Sequence, residues 1–157
     1  MSVPDLRTDR LILREWRDAD LPVFATMNAD PEVMQFLTKQ MTRAESDHRV
    51  AQIREHFREH GFGKWAVEIR GTAQFVGFVG IERASFAAPF TPCVEIGWRL
   101  ARETWGLGFA TEAARAAVEF GFNEIGLQEI VSFTVPDNIR SRRVMERLGM
   151  TRDPAED

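Results

Sequence analysis

A pair of glycines between an apolar segment and an alanine-rich segment is the part of the chain best suited to bind a ligand. Gly106 and Gly108 follow the apolar run 94–100 and precede residues 109–123, whose apolar positions recur at helical spacing. Glycine lets the backbone approach a ligand closely, and the free N–H groups at a helix N-terminus favour phosphate or pyrophosphate. The pattern therefore predicts an anion-binding turn.

The residues around this turn argue against two common phosphate-binding motifs. A P-loop has Gly-Lys-Ser/Thr after four intervening residues, whereas no lysine follows Gly108. A dinucleotide fingerprint would have a third glycine where this chain has Thr111, and its strand would open a βαβ unit rather than lie mid-chain. Neither nucleotide hydrolysis nor dinucleotide binding is favoured.

The wider motif resembles the acyl-CoA loop of the GCN5-related N-acetyltransferase (GNAT) superfamily, Gln/Arg-x-x-Gly-x-Gly/Ala. Here Glu103 replaces the first residue of Glu103-x-x-Gly106-x-Gly108. The surrounding Trp-Gly-x-Gly-Phe-Ala-Thr-Glu-Ala is similar to the RimJ/RimL-like branch, in which that first position varies. Further matches to this branch extend the resemblance over almost the whole chain; they are Thr8 to Trp16, Asp18 to Asp20, Asp30 to Val33, Asn138 to Ser141 and Val144 to Met150.

The resemblance implies an α/β (α+β) fold: one N-acetyltransferase domain over residues 1–157, with a mixed, mostly antiparallel sheet and helices on both faces. In that fold two parallel strands splay apart and the cofactor sits in the gap. Related chains continue past the corner at Gly149-Met150 into a final strand, but this sequence stops at Asp157. We therefore expect a sheet without its C-terminal strand, or a sequence shorter than the native chain.

Local patterns predict the individual elements. Alternating or continuous apolar runs favour strands at 11–16, 65–69, 75–83, 94–100 and 129–135, with a loop at 84–92. Helix starts are indicated by Asp18 or Asp20, by Asp30 before Pro31, by a capping box at Thr42 and Glu45, and by Asp137 or Asn138.

The resemblance implies acetyl-CoA as cosubstrate and an amine as acceptor. Backbone N–H groups of the turn would bind the pyrophosphate, the backbone of Trp98 and Leu100 would pair with the pantetheine arm, and Asn138 would hydrogen-bond its amides or serve only as a helix cap. The expected cofactor-binding residues are Trp98, Leu100, Gly106, Leu107, Gly108, Phe109, Ala110, Thr111 and Asn138. A tight corner without a ligand is the alternative for the turn.

Two residues are candidates for proton transfer. Glu95 lies on the strand where many family members carry a glutamate base, and partial desolvation by Trp98 and Trp105 would raise its pKa toward neutrality. A structural hydrogen bond between the splayed strands is an equal alternative. The chain contains no tyrosine, and Met145 stands where most members place a tyrosine acid, so Ser141 or water is expected to protonate the thiolate.

We accordingly expect transfer of an acetyl group to a primary amine, a protein N-terminus or a small molecule, by direct attack. The competing hypothesis is an acyl-CoA-binding module without turnover, suggested by the missing tyrosine and by Glu103.

Composition limits the partners. The net charge of −4 and pI near 5.5 argue against a nucleic-acid or anionic-membrane partner. The single cysteine, Cys93, excludes an internal disulfide and fits a reducing cytoplasm, and no apolar stretch has the length of a membrane span. His56 and His60 lack further ligands at metal-site spacing, so no metal is expected. A homodimer is compatible with the sequence.

Overall fold

The computed structural model describes residues 3–37, 39–84, 87 and 91–151. Within them the strands are β1 (Leu6–Arg7), β2 (Leu11–Arg14), β3 (Lys64–Ile69), β4 (Gln74–Arg83) and β5 (Val94–Leu100). The α-helices are α1 (Asp20–Asn28), α2 (Arg43–His60), α3 (Phe109–Phe120) and α4 (Ile139–Arg147). A 3-10 turn at Arg102–Thr104 precedes α3, and a π-helical turn at Gly121–Ile125 follows it.

The five strands form one antiparallel sheet in the order β1-β2-β3-β4-β5. Successive side chains of a strand point to opposite faces. In β4, Phe78 contacts Phe24 of α1 with ring centroids 5.8 Å apart, whereas Ile81 lies against Gly121 at the end of α3. Helices therefore cover both faces, which confirms the predicted α/β fold.

Along residues 131–135, the free edge of β5 forms backbone hydrogen bonds with Val131 alone. Glu95 and Val131 form an isolated parallel bridge, and the N–H of Ile96 donates to the carbonyl of Val131 at 2.8 Å. The next acceptor on β5, the carbonyl of Ile96, takes its hydrogen bond from the Ser132 hydroxyl at 3.0 Å. A side chain thus replaces the backbone partner, the ladder ends, and the strand predicted at 129–135 was wrong beyond this bridge.

Helix α2 begins and ends as predicted. Thr42 and Glu45 form a reciprocal capping box, and Gly61 ends the helix with φ of 78°. The last helix also has its predicted cap, because the Asn138 side chain accepts the N–H of Ser141.

One predicted cap and one other predicted helix start were wrong. Helix α1 lies where it was predicted, at Asp20–Asn28, but it has no side-chain cap, because the carboxylate of Asp20 bonds Arg14 instead. Residues 31–36 form turns rather than a helix, although Asp30 Oδ1 does accept the N–H of Glu32 at 2.9 Å. At α1, an ion pair with Arg14 of β2 takes the oxygens that a cap would use.

A buried ionic cluster joins α1 to the sheet. Arg14 of β2 contacts Asp20 Oδ2 through Nη1 at 2.8 Å and Glu68 Oε1 of β3 through Nε at 2.8 Å, and all three residues are buried. The hydrogen bond to Asp20 raises the pKa of Arg14 above its usual value. The cluster fixes the position of α1 over β4 and β5.

Two expectations fall partly outside the described residues. The loop predicted at 84–92 includes residues 85, 86 and 88–90, and the chain end at 152–157 also lies outside. Among the residues that the structure describes, no strand follows α4. No helix in the described part of the chain is long and apolar enough to cross a membrane.

Candidate active site

A cavity of about 630 Å³ opens where β5 and residues 132–135 diverge. It runs from the glycine turn, past the free edge of β5, to the turns that follow α1. Its walls include eight of the nine predicted cofactor-binding residues and the predicted acid; they are Trp98, Leu100, Gly106, Gly108, Phe109, Ala110, Thr111, Asn138 and Ser141. The remaining two predicted site residues, Leu107 and Glu95, are not among the lining residues.

The glycine turn has the backbone conformation that its glycines predicted. Gly106 and Gly108 have φ of +79° and +82°, the left-handed region that side chains other than glycine rarely adopt. A Cβ on Gly106 would meet no described atom within 4 Å, so the backbone here faces open space. The turn then leads directly into α3, which begins at Phe109.

An arginine and a glutamate hold this turn from behind. Arg10 donates to the carbonyl of Leu107 at 2.8 Å, and its guanidinium lies 4.6 Å from the centroid of the Phe109 ring. Glu112, in the first turn of α3, accepts from Arg10 Nε at 2.7 Å and from the backbone N–H of Arg10 at 2.9 Å. Partial burial would raise the pKa of Glu112, but hydrogen bonds from the Thr8 hydroxyl and from Arg10 lower it below its usual value.

Thr111 adds a polar atom without a described partner. Its Oγ1 is buried at the start of α3, in the wall of the cavity, and no hydrogen bond satisfies it. Buried polar atoms almost always have a partner. A hydroxyl in this position, beside the N–H groups of a helix start, fits a phosphate oxygen.

The edge of β5 offers backbone groups to the cavity. Along a strand, the backbone N–H and C=O groups of successive residues point alternately to one edge and to the other. The N–H of Ile96 points away from β4 and donates to the carbonyl of residue 131. Trp98 and Leu100 face the same way. The carbonyl of Leu100 accepts from Trp105 Nε1 at 3.0 Å, so Trp98 provides the clearest donor and acceptor for an extended ligand.

Ser141 is held in the cavity wall by two contacts. Its N–H donates to Asn138 Oδ1, and its Oγ accepts from the indole Nε1 of Trp98 at 3.2 Å. A hydroxyl can donate one bond while it accepts others. The O–H of Ser141 therefore remains able to donate to a ligand.

Glu95 lies beside the cavity, on the opposite face of β5 from Trp98. Its Oε1 is 3.4 Å from Nζ of Lys64, and its side chain is 24% exposed. Lys64 of β3 is buried, and its side chain reaches Glu95 by passing over Gly80 and Gly97 on the neighbouring strands. A Cβ on Gly97 would lie only 2.5 Å from Nζ, so the lysine needs a glycine at this position. Burial lowers the pKa of Lys64 below its usual value. Sequence reasoning missed this lysine.

All charged residues that line the cavity in the described part of the chain are arginines, and the sequence analysis predicted none of them as a site residue. They are Arg99 on β5 and Arg140, Arg143 and Arg147 on α4. The three on α4 are spaced by three and four residues and therefore share one helix face, a signal that the sequence contained. The guanidinium of Arg140 lies 3.6 Å from the centroid of the Trp105 ring.

Comparison with known proteins decides the family. Residues 10–151 match the acetyltransferase (GNAT) domain. The chain belongs to the GNAT family. It is 33% identical over 146 residues to the uncharacterized protein YkkB of Bacillus subtilis, covering 92% of this chain and 84% of that protein. It is 30% identical over 152 residues to the uncharacterized N-acetyltransferase YoaA of the same organism, covering 96% and 84%.

The fold of this GNAT protein also matches solved structures. The crystal structure of an acetyltransferase from Agrobacterium tumefaciens superimposes with a TM-score of 0.86 at 30% identity, covering 98% of this chain and 87% of that one. The protein is thus an acetyl-CoA-dependent acetyltransferase. No group of three or more potential metal ligands occurs among the described residues.

Proposed function

We propose that residues 1–157 act as a single N-acetyltransferase domain that transfers the acetyl group of acetyl-CoA to a primary amine by direct attack. The observation that carries this proposal is the divergence of β5 from residues 132–135. It joins an anion-binding turn, an unpaired strand edge and a serine hydroxyl within one cavity. Acetyl-CoA is a long thioester that carries phosphates at one end, so its site needs an anion-binding turn for the phosphates, a strand edge for the extended arm and a proton donor near the sulfur.

The described residues fit the cosubstrate. The N–H groups of residues 107–111 and the orphaned Thr111 hydroxyl would bind the pyrophosphate. Arginines 140, 143 and 147 would contribute positive charge to its phosphates, and Trp98 would pair with the pantetheine arm. Asn138 uses Oδ1 to cap α4, which leaves its amide N–H groups for a pantetheine carbonyl.

Two residues of the chain would then move the protons of the reaction. The bound acetyl-CoA supplies an acetyl carbonyl carbon and a thiolate leaving group. Glu95 would take a proton from the attacking amine, through one water because the carboxylate lies outside the cavity wall. Ser141 would donate its O–H to the departing sulfur, with water as the final proton source.

Substitution of Gly106 tests the cosubstrate site. In Gly106→Ala the Cβ meets no described protein atom, but it enters the space where the pyrophosphate would lie. We expect acetyl-CoA binding to weaken about tenfold or more, together with a loss of about 1 kcal/mol of stability from the left-handed backbone. Titration calorimetry with acetyl-CoA and urea denaturation measure the two effects.

Gly126→Ala is a matched control. Gly126 has φ of +81°, its Cβ would also meet no described atom, and it does not line the cavity. It should lose similar stability and keep its affinity. Equal affinities for the two variants would contradict the assignment of the turn.

Substitution of Ser141 tests the acid. Ser141→Ala removes the hydroxyl but retains the backbone N–H that caps α4. We expect less than a tenfold fall in kcat and little change in the KM for acetyl-CoA, because water can protonate a thiolate that has already left. A fall of several hundredfold in steady-state thiol release would show that the serine is essential.

Thiol release over a panel of amines also separates transfer from simple binding. An acetyltransferase releases CoA when a suitable amine is added. Tight acetyl-CoA binding without release for any amine would instead favour the acyl-CoA-binding module.

A further inference from the structure

Arg99 is a charged residue of the cavity that the mechanism above does not use. Its Nη1 donates to Asn28 Oδ1 of α1 at 2.9 Å, and its guanidinium lies 5.1 Å and 5.9 Å from the ring centroids of Phe78 and Phe24. An arginine side chain carries five N–H donors in a planar fork. One hydrogen bond and two rings thus hold the group in place while further donors remain.

This guanidinium has no described counterion. No carboxylate of the residues that the structure describes lies within ion-pair distance of Arg99, whereas nearby Arg102 contacts both Asp30 and Glu32. Burial and the positive charge of Arg49 lower the pKa of Arg99 to about 10, so the group is still protonated at neutral pH. A partly desolvated cation without a partner is unfavourable, and a bound anion would relieve that cost.

The position of Arg99 separates it from the cosubstrate side. Arg99 shares a face of β5 with Glu95, whereas Trp98 points to the other face and reaches Ser141 of α4. The same cavity is lined, in the turns that follow α1, by the apolar residues Val33, Phe36 and Leu37, and Arg99 itself is tied to α1 through Asn28. This end of the cavity is therefore the side on which the acceptor amine would meet the proposed base.

The charge of the wall limits the acceptor further. Every charged residue that lines the cavity in the described part of the chain is an arginine, and no aspartate or glutamate lines it. Polycationic amines need carboxylates to offset their charge on entering a partly desolvated pocket. Arg140, Arg143 and Arg147 are assigned to the phosphates of acetyl-CoA, so Arg99 is the charge left for the acceptor; it opposes polycationic acceptors and attracts an anionic group.

We propose that the acceptor is a small amine that carries a carboxylate, of the amino-acid type, and that the carboxylate pairs with the guanidinium of Arg99. Its apolar part contacts Val33, Phe36 and Leu37. The planar fork of arginine matches a carboxylate in a two-bond pair. This inference rests on the proposed N-acetyltransferase function and adds the class of its acceptor.

Paired acceptors test the proposal. Each pair joins an apolar amino acid, such as L-leucine, L-methionine or L-phenylalanine, to its amide, and ω-amino acids with their amides vary the spacing between amine and carboxylate. For at least one pair, the wild-type kcat/KM should be tenfold or more higher for the acid. Because amine basicity differs within a pair, the decisive quantity is the change in this ratio on substitution.

Arg99→Gln should reduce the ratio about tenfold by raising the KM for the acid, with the KM for acetyl-CoA unchanged. Glutamine keeps an N–H donor for Asn28, so the packing of α1 has a substitute contact. Arg102→Gln is the matched control, since Arg102 is exposed and lies outside the cavity wall. It should leave the ratio as in the wild type.

Two results would overturn the proposal: a wild-type preference for amides or polyamines, or an acid-to-amide ratio that Arg99→Gln leaves unchanged. Calorimetric titration of the same acids into the CoA-saturated protein gives a readout that needs no turnover. Binding that depends on Arg99, without thiol release, would support the acceptor site and reject the transfer reaction. Turnover of amines with and without a carboxylate at similar rates would support the transfer reaction and reject the proposed carboxylate site at Arg99.

Discussion

Glu95→Gln should lower kcat by about 10²-fold or more and leave acetyl-CoA affinity nearly unchanged. Glu95 shares a face of β5 with Arg99 and lies at the point where β5 parts from residue 131. Glutamine has nearly the same shape but cannot take a proton from the acceptor. Steady-state kinetics across pH 6 to 9, with calorimetry for acetyl-CoA, measures the two parameters separately.

The contact between Glu95 and Lys64 allows a catalytic role of Glu95 to be distinguished from a structural one. The neutral amide would lose the ion pair with Nζ, so a purely structural role predicts lower stability with little change in kcat. Glu124→Gln is a suitable control, because Glu124 is exposed and lies outside the cavity wall. An unchanged kcat in Glu95→Gln would show that another group takes the proton, or that the amine arrives deprotonated.

Arg14→Met should destabilise the fold by about 3–5 kcal/mol, because it leaves the carboxylates of Asp20 and Glu68 buried without their cation. That loss is a large part of the about 5–15 kcal/mol that typically separates folded from unfolded domains. The midpoint of urea denaturation would show it. A raised pKa means that Arg14 stays protonated from pH 6 to 9, so its own titration adds no pH dependence to the deficit in that range.

Two further variants isolate the cause. Arg17→Met removes a mostly exposed cation that lies 3.5 Å from Glu68 Oε1, and it should cost less than about 1 kcal/mol. Replacing Arg14, Asp20 and Glu68 together by Met and Leu residues should recover most of the stability. If the triple replacement is no more stable than Arg14→Met, packing rather than uncompensated charge explains the loss.

Local patterns predicted the elements whose signals are local. The capping box at Thr42, the apolar run of β5 and the glycine turn each depend on neighbouring residues, and each has its predicted form. Glycine at 106 and 108 was informative because only that residue adopts the turn's backbone at little cost. The resemblance to a family then supplied the gap beside β5, which composition did not show.

Charge contacts between different elements account for most of what the sequence did not predict. Asp20 has the position of a helix cap, yet its oxygens bond an arginine six residues earlier in the chain. Lys64 and Arg99 look like ordinary polar positions of alternating strands, and their burial depends on glycines and rings from other elements. Such contacts produce no periodic pattern in the sequence, so the positions of Lys64 and Arg99 could be recognised only in the structure.

The unpaired edge of β5 affects the stability and aggregation of the protein when its cosubstrate is absent. Exposed strand edges are templates for pairing with other chains, and proteins generally cover or interrupt them. Under the proposed function, the extended arm of acetyl-CoA would occupy Trp98's backbone groups and close that edge. Acetyl-CoA at a hundred times its Kd would also add about 2.7 kcal/mol of stability by mass action. Metabolic supply of the cosubstrate would then govern how much of the protein stays folded and unaggregated, in addition to how fast it works.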